Sequence, residues 1–236
     1  GIPVMMVLFL IRERGIEILL LMITSAIFLI VIQALTLSRS GWIATISALI
    51  FMLVTLLLQK NFHKKGLLIT IVVSVVIVGI FVIASTPAIN RVVTLIQHDN
   101  EDNMESRVSI WTGTVNLIKK NPLSGTGAGT YAEAHPLYDM PGYAHLSVYA
   151  HNDYLQFIAD TGIFIVPVIL AALFFLFKAG FTKLKSKSRQ TRGFALGAMA
   201  GVLAITIHSF SDFNLHIPAN IILFIVLTAI IIRQNA

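Results

Sequence analysis

Arginine and histidine residues border several long apolar segments, and these residue types can act on a charged substrate. Arg39 lies in the sequence Thr36-Leu37-Ser38-Arg39-Ser40-Gly41, and Arg107 precedes Trp111 by four residues. A guanidinium group keeps its charge and can bind a phosphate through two parallel hydrogen bonds. His151 begins the sequence His-Asn-Asp-Tyr-Leu-Gln, and a neutral imidazole can accept a proton from a hydroxyl group. Phosphate binding and proton transfer are therefore the chemistry that these residues could carry.

Each of these residues also has a structural explanation. Arg39 can extend its charge to lipid headgroups, as interfacial arginines do. Arg107 can make a cation–π contact with Trp111 or bind a lipid phosphate. His151 can cap a surface helix. Spacing alone leaves both kinds of explanation open.

The glycine-rich sequence Gly125-Thr126-Gly127-Ala128-Gly129 resembles a phosphate-binding loop at first sight. It follows no clear strand and lacks the Lys-Ser/Thr pair of a P-loop, so the nucleotide interpretation fails its context test. Two interpretations remain. The stretch is either a tight turn or a nest of backbone amides for a carrier phosphate, in which Gly125 and Gly127 would bind the substrate.

Two groups of ionisable residues also allow both a functional and a structural interpretation. The first comprises Asp99, Glu101, Asp102 and Glu105, which could hold a divalent metal but is also typical of a solvated loop. The second pairs His208 with Asp212, which we expect one turn apart on the same face of a helix near the outer surface. Ionisable residues at the membrane are often functional. A hydrogen bond that holds the turn at His216 explains this pair equally well.

The composition places these residues on a membrane protein. Apolar residues make up 56% of the 236 residues and charged residues 12%, about half the charged share of a soluble protein. This excludes a cytosolic enzyme, a disordered chain and a fibrous repeat. The chain has no cysteine, which excludes disulfides, thiol catalysis and cysteine-bound zinc. The net charge of +6 comes mainly from short basic loops, so we expect membrane contacts and no nucleic-acid partner.

Six apolar runs approach the roughly 20 residues that a helix needs to cross a bilayer. They are Ile16–Leu35, Gly41–Leu58, Leu67–Ala84, Gly162–Phe177, Phe194–Asp212 and Ile217–Ile232. The runs are too long for buried strands and do not alternate as barrel strands do. We therefore predict an all-α fold, a polytopic transmembrane helical bundle with a large, partly helical extracytoplasmic loop.

Lysine and arginine residues predict the orientation and the domain organisation. The basic loops lie on one side of the six runs, which the positive-inside rule makes cytoplasmic. The prediction is transmembrane helices in residues 1–84, an extracytoplasmic catalytic loop in 85–161 and C-terminal transmembrane helices in 162–236. The chain begins within an apolar run, so we expect the C-terminal part of a longer protein whose first helices are absent.

The long loop contains two predicted helices. Val108, Trp111, Val115 and Ile118 recur at helical spacing, and Asn121-Pro122 ends this helix. We expect it in the membrane interface, with Trp111 as an anchor. The second helix spans His151 to Thr161, with Leu155 and Ile158 on its inner face and Gly162 as its stop.

Order and spacing of these motifs resemble the O-antigen ligase and O-antigen polymerase superfamily of bacterial membrane glycosyltransferases. The resemblance rests on the Ser-Arg-Ser-Gly sequence at residues 38–41, Arg107 with Trp111, Asn121-Pro122-Leu123-Ser124-Gly125, His151-Asn152 with Gly162 ten residues after Asn152, and the sequence from His208 to Ala219. One departure is Ile165, where ligases carry a small or polar residue. This departure bears on the lipopolysaccharide ligase branch and leaves the superfamily assignment intact.

The resemblance implies a reaction at the outer face of the bacterial inner (plasma) membrane. A glycan passes from an undecaprenyl-pyrophosphate carrier to a glycan or lipid A-core acceptor, with inversion and without metal or other cofactor. By motif position the functional residues fall on Arg39, Arg107 and His151. The arginines would hold the pyrophosphate, and His151 would activate the acceptor hydroxyl. The expected substrate-binding residues are Asn152, Gly125, Gly127, Trp111, His208 and Asp212.

Other functions remain open on the sequence. Ligase and polymerase share the donor and differ only in the acceptor. A transporter or flippase of lipid-linked glycan would also be apolar, but it usually builds its site from charged or broken helices inside the membrane. A metal-dependent glycosyltransferase would use the acidic cluster. A non-catalytic assembly partner would use neither the acidic cluster nor the arginine and histidine residues.

Overall fold

A computed structural model describes residues 16–36, 38–58, 69–70, 72–81, 84–85, 104–138 and 147–233. These residues form helices and connecting turns, with no strand among them. The α-helices are α1 (Ile16–Leu35), α2 (Arg39–Leu57), α3 (Val72–Phe81), α4 (Met104–Lys120), α5 (Tyr131–Ala134), α6 (Asp153–Thr161), α7 (Ile165–Lys183), α8 (Arg189–His208) and α9 (Pro218–Ile232). Short 3₁₀ helices lie at His135–Tyr138 and Asn214–His216.

The helices confirm the predicted all-α polytopic class. Three of them, α2, α7 and α8, are long and apolar enough to cross a membrane, and α1, α3 and α9 contribute shorter apolar stretches. Each of the six predicted runs therefore coincides with a helix. The boundaries differ at two important places, because α2 already begins at Arg39 and α8 ends at His208 rather than at Asp212.

One compact unit comprises the described residues of Gly1–Asn90, Phe175–His208 and Ile222–Ala236. Within it α2 packs against α8 through small side chains. The buried face of α8 repeats glycine every fourth residue at Gly193, Gly197 and Gly201. Small residues let two membrane helices approach closely, and van der Waals contact then replaces the missing hydrophobic driving force.

The same unit shows how closely the other helices pack. A Cβ atom on Gly180 would lie 2.3 Å from Sδ of Met199, and one on Gly201 would lie 2.8 Å from a methyl group of Leu227. At the end of α9, the Lys183 ammonium donates to the carbonyls of Ile230, at 3.2 Å, and Arg233. This cation satisfies carbonyls that a helix end leaves without partners.

The second unit comprises the described residues of Arg91–Phe174 and Ser209–Ile221. It contains α4, α5 and α6, with Leu117, Tyr131, Ala150 and Ala159 in its core. The segment Ser209–His216 follows α8 and is named the 209–216 turn. It belongs to the same unit as the described part of the predicted loop. The sequence boundaries had assigned it to the C-terminal helices.

Part of the apolar stripe of α4 faces outward, while Trp111 and Ile118 are half-buried. Val108 and Val115 are exposed by 53% and 37%, whereas Thr114 and Leu117 are fully buried. The buried face thus combines the apolar Leu117 with small and polar residues, and the hydroxyl groups of Thr114 and Tyr131 share a hydrogen bond of 2.7 Å. An outward apolar stripe suits a helix at the membrane interface, which stays a prediction.

The inner face of α6 was predicted wrongly. Its buried residues are Asp153, Gln156, Ala159 and Asp160, whereas the expected Leu155 and Ile158 are only half-buried. Apolar periodicity missed this face because polar side chains occupy it. They are buried because the surrounding backbone supplies their hydrogen-bond partners.

Candidate active site

The Asn-to-Gly spacing of the sequence motif corresponds to one helix with its two caps. The Asn152 side-chain oxygen accepts hydrogen bonds of 3.1 Å from the backbone N–H groups of Tyr154 and Leu155, which makes Asn152 the N-cap of α6. Gly162 ends the helix with a positive φ of 83° and donates its N–H to the Ile158 carbonyl. The nine residues between them are the helix itself.

The glycine-rich stretch packs onto the C-terminal end of α6. The Thr126 and Gly127 N–H groups donate to the carbonyls of Ala159 and Asp160, both at 2.9 Å. The Gly129 N–H donates to Oδ2 of Asp160 at 3.1 Å. The bonds from Thr126 and Gly127 satisfy carbonyls that the end of α6 would otherwise leave without partners.

Two glycines are required by the close approach of these backbones. A Cβ atom on Gly125 would lie 2.4 Å from the carbonyl carbon of Asp160, and one on Gly162 would lie 2.0 Å from the Leu123 oxygen. Four backbone amides of the stretch, including that of Gly125, already have partners within the chain, so the geometry favours the tight turn over a phosphate nest. Substrate binding by Gly125 and Gly127 stays a prediction.

Two ionisable groups of α6 are affected by burial. Burial raises the pKa of the Asp160 carboxyl above its ordinary value, and the Gly129 N–H opposes this only in part. Burial and the nearby Asp153 raise the pKa of Tyr154 to about 12. Tyr154 therefore stays a neutral phenol near neutral pH, with its ring 4.4 Å from that of Phe210.

His151 adopts a strained backbone next to the N-cap of α6. Its φ of 48° is the one positive value among the non-glycine residues in the described part of the chain. The flanking Ala150 is fixed on both sides, since its N–H donates to Gln156 Oε1 and its carbonyl accepts from Trp111 Nε1, each at 2.9 Å. Left-handed non-glycine residues persist where their surroundings hold them, and they concentrate at functional sites. Asn152 provides the cap, so capping does not explain His151.

Helix α4 makes hydrogen bonds to two segments near His151, namely Ala150 and the 209–216 turn. Trp111 donates to Ala150, and Arg107 Nη1 donates to the Ser211 carbonyl at 2.8 Å, one helical turn away. The His151 ring meets the Phe213 ring edge to face, with 5.1 Å between the centroids. Arg107 and His151 therefore both contact the 209–216 turn.

Asp153 is buried at the centre of this arrangement, and no sequence pattern singled it out. Its Oδ1 lies 2.7 Å from Nδ1 of His216, and its Oδ2 accepts the Leu215 N–H at 2.9 Å. Its own backbone N–H donates to the Ser209 carbonyl at 2.9 Å. The pairing joins residues 63 positions apart, so local spacing could not reveal it. The signal that could have found it is a carboxylate inside the His-Asn motif.

The expected pair of His208 and Asp212 does not share a helical face. Helix α8 ends at His208, and Asp212 lies in the turn that follows, where its Oδ1 accepts the Phe213 N–H at 2.9 Å. The sequence overextended this helix because the apolar pattern continues through Phe210 and Phe213. A role of either residue in substrate binding stays a prediction.

Arg39 is the first residue of α2 and is exposed. Ser38 caps this helix, since its hydroxyl accepts the Gly41 N–H at 3.1 Å. Arg39 and His208 belong to the first unit, whereas the other predicted site residues belong to the second.

Of the predicted acidic cluster, Asp99, Glu101 and Asp102 lie outside the described residues, and the Glu105 side chain is not described, so its role stays a prediction. Within the described ranges, no three histidine or carboxylate side chains converge as metal ligands would.

The long apolar helices are those of an integral membrane protein. The sequence profile of the O-antigen ligase family matches residues 24–166, more than half of the chain. The chain therefore belongs to the O-antigen ligase family. The matched range includes Arg39, Arg107 and His151 and stops before the 209–216 turn. No curated protein matches the chain.

The family and the apolar helices together make this an inner-membrane protein of O-antigen assembly, a process that joins glycans.

Proposed function

We propose that the protein transfers a glycan from undecaprenyl pyrophosphate to an acceptor hydroxyl at the outer face of the inner membrane. The observation that carries this proposal is the meeting of Arg107 and the strained His151 at the 209–216 turn. The family supports glycan transfer in O-antigen assembly. The pattern of basic loops supports an outward position of the second unit.

Arg107 stabilises the departing pyrophosphate. The bond between the anomeric carbon and the phosphate oxygen breaks, and its electron pair stays on the pyrophosphate. A guanidinium presents five N–H donors in a rigid fork that matches phosphate oxygens. Arg107 is half-buried and anchored at Ser211, so its charge is directed before the substrate arrives. Arg39 enters the proposal through the resemblance alone.

His151 accepts the proton of the attacking hydroxyl. The acceptor oxygen bonds to the anomeric carbon as the carrier leaves, so direct displacement inverts the configuration there. A positioned base typically contributes roughly 10²–10⁴-fold to the rate of such a step. The fixed backbone around His151 supports this role, because a base works only when its geometry is held.

The acceptor is a growing glycan or a lipid A-core, and the reaction needs no metal. Ligase and polymerase would use the same residues and differ in the product. Membrane lipid surrounds the helices and the outward stripe of α4.

The test is transfer by the purified full-length protein in lipid nanodiscs. It receives a defined undecaprenyl-pyrophosphate glycan with each acceptor, in the presence of a metal chelator. A single addition indicates a ligase, and a product ladder indicates a polymerase. Activity that needs added magnesium or manganese would contradict metal independence. No product with any acceptor, together with movement of the lipid-linked glycan across the bilayer, would replace the proposal with transport.

A further inference from the structure

Asp153 joins the start of α6 to both ends of the 209–216 turn. Its backbone N–H reaches the Ser209 carbonyl, and its carboxylate reaches the Leu215 N–H and the His216 ring. The Asp153 side chain is fully buried, and the His216 side chain is 21% exposed. A buried carboxylate is costly unless hydrogen bonds compensate for the lost water, and both of its oxygens are satisfied here.

The two contacts of the proposed catalytic groups lie between these anchors. Ser211, whose carbonyl binds Arg107, and Phe213, whose ring contacts His151, both fall between Ser209 and Leu215. His216 is further enclosed by the rings of Tyr149, at 5.6 Å, and Phe157, at 5.5 Å. A movement of the turn would therefore displace Arg107 and His151 together.

We propose that Asp153 and His216 are positioning residues, which hold the 209–216 turn so that Arg107 and His151 face the same substrate. This inference rests on the proposed function. Asp153 acts through the turn and does not take the proton itself. A displacement of about 1 Å at reacting groups can cost on the order of 10²-fold in rate, so a rigid anchor matters for catalysis.

Two substitutions at Asp153 separate anchoring from proton transfer. Asp153→Ala removes both side-chain hydrogen bonds. Asp153→Asn is isosteric and keeps both, because its oxygen accepts from Leu215 and its NH₂ donates to Nδ1 of His216. In that variant the His216 proton moves to Nε2, so the ring could no longer accept a proton there.

The matched control is Tyr131→Phe, which removes the buried hydrogen bond to Thr114 in the same unit without touching the turn. All variants are made in the full-length protein in nanodiscs. The measurements are hydrogen–deuterium exchange of the Leu215 amide, kcat and KM for the donor, and the thermal unfolding midpoint.

We expect Asp153→Ala to raise Leu215 exchange at least about tenfold and to lower kcat roughly 10- to 100-fold, with KM within about threefold. Asp153→Asn should stay within about threefold of the wild type in exchange and kcat. Tyr131→Phe should lower the unfolding midpoint without either local effect.

Exchange in Asp153→Ala that does not exceed that of Tyr131→Phe would overturn the anchor. A loss of kcat in Asp153→Asn as large as in Asp153→Ala, with unchanged exchange, would also overturn it and make His216 a base. If the wild type transfers no glycan, the proposed function fails, while the exchange of Leu215 still decides whether the anchor exists.

Discussion

Asn152 and Gly162 cap the two ends of the same nine-residue helix. Asn152 satisfies N–H groups at the start of α6, and Gly162 turns the chain into the left-handed region at its end. His151 precedes the first cap directly, so the helix that these residues define also fixes the position of the proposed base. In the proposed function, this capped helix therefore holds the histidine base in place.

The close approach at Gly162 gives the first prediction. Alanine there would place Cβ 2.0 Å from the Leu123 oxygen in a backbone with φ of +83°. Gly129→Ala is the matched control, since its φ of +79° is similar but nothing lies within 4 Å of the added Cβ. We expect Gly129→Ala to cost about 1–2 kcal/mol of stability from the backbone conformation alone.

Gly162→Ala should cost several kcal/mol, because steric overlap adds to the same backbone penalty. The thermal unfolding midpoints of both variants in nanodiscs measure the difference. Equal midpoints would mean that the Pro122–Gly125 backbone can move away and that the packing at Gly162 is not required.

The Asn152 side chain gives a prediction that separates capping from substrate binding. Asn152→Ala removes an N-cap and should cost about 0.5–2 kcal/mol. Asn152→Asp keeps an oxygen acceptor at the cap and should retain stability. Measurement of KM for the donor then tests the predicted substrate contact, because a pure cap predicts an unchanged KM in Asn152→Asp.

Much of the fold could be predicted from the sequence because lipid imposes a simple rule. A span must be long, apolar and helical, so α1, α2, α3, α7, α8 and α9 follow from composition. The boundaries at Arg39 and His208 could not be predicted, since apolar residues continue past the end of α8 while a polar residue begins α2. The spacing of apolar residues shows which face of a helix is apolar, but it does not show whether that face is buried in the protein.

The site could be predicted only where a motif is local. His151, Asn152 and Gly162 lie within one short stretch and were found together. The carboxylate of Asp153 follows Asn152 directly and could have been noticed, but its pairing with His216 depends on a tertiary contact across 63 positions that local spacing does not reveal. The apolar stripe of α4 was found in the same way, because its spacing is local, and Val108 and Val115 lie on the exposed side of that helix.

Arg107 gives a prediction about the geometry of its guanidinium group. Arg107→Ala should lower the rate of transfer by about 10²–10³-fold, the usual loss for one pre-positioned donor. Arg107→Lys keeps the charge and can keep the bond to Ser211, but it loses the bidentate fork, so most of the loss should remain. Lys119→Ala, an exposed cation in the last turn of α4, is the control.

Initial rates at saturating donor measure these losses. Wild-type activity in Arg107→Lys would show that a point charge is sufficient and would remove the bidentate contact from the mechanism. A comparable loss in Lys119→Ala would show that the effect comes from general surface charge.

Asp160 gives a prediction about pH. Its folded pKa is raised by burial above the ordinary 3.8, so the folded state binds the proton more tightly than the unfolded state. The stability that this proton provides is complete below pH 3.8 and is lost as the pH rises through the folded pKa. Asp160→Asn does not ionise. The wild type should therefore lose stability relative to Asp160→Asn as the pH rises from about 4 towards neutrality.

The difference between the two unfolding midpoints, measured at several pH values, tests this sign. A constant difference would mean that Asp160 titrates alike in the folded and unfolded states. A difference that moves in favour of the wild type at higher pH would reverse the inferred cause, with the Gly129 N–H outweighing burial.

His151 gives a prediction that separates strain from catalysis. Its φ of +48° costs an alanine about 1–2 kcal/mol, whereas glycine adopts that conformation freely. His151→Gly and His151→Ala both lose the imidazole and its contact with Phe213, so the two variants differ mainly in backbone conformation. The glycine variant should therefore unfold at a higher temperature than the alanine variant. Both should lose roughly 10²–10⁴-fold in transfer rate, because neither can accept a proton. If His151→Gly unfolds at a higher temperature than His151→Ala but transfers glycan as fast as the wild type, the backbone strain at this position serves the fold and His151 is not the base.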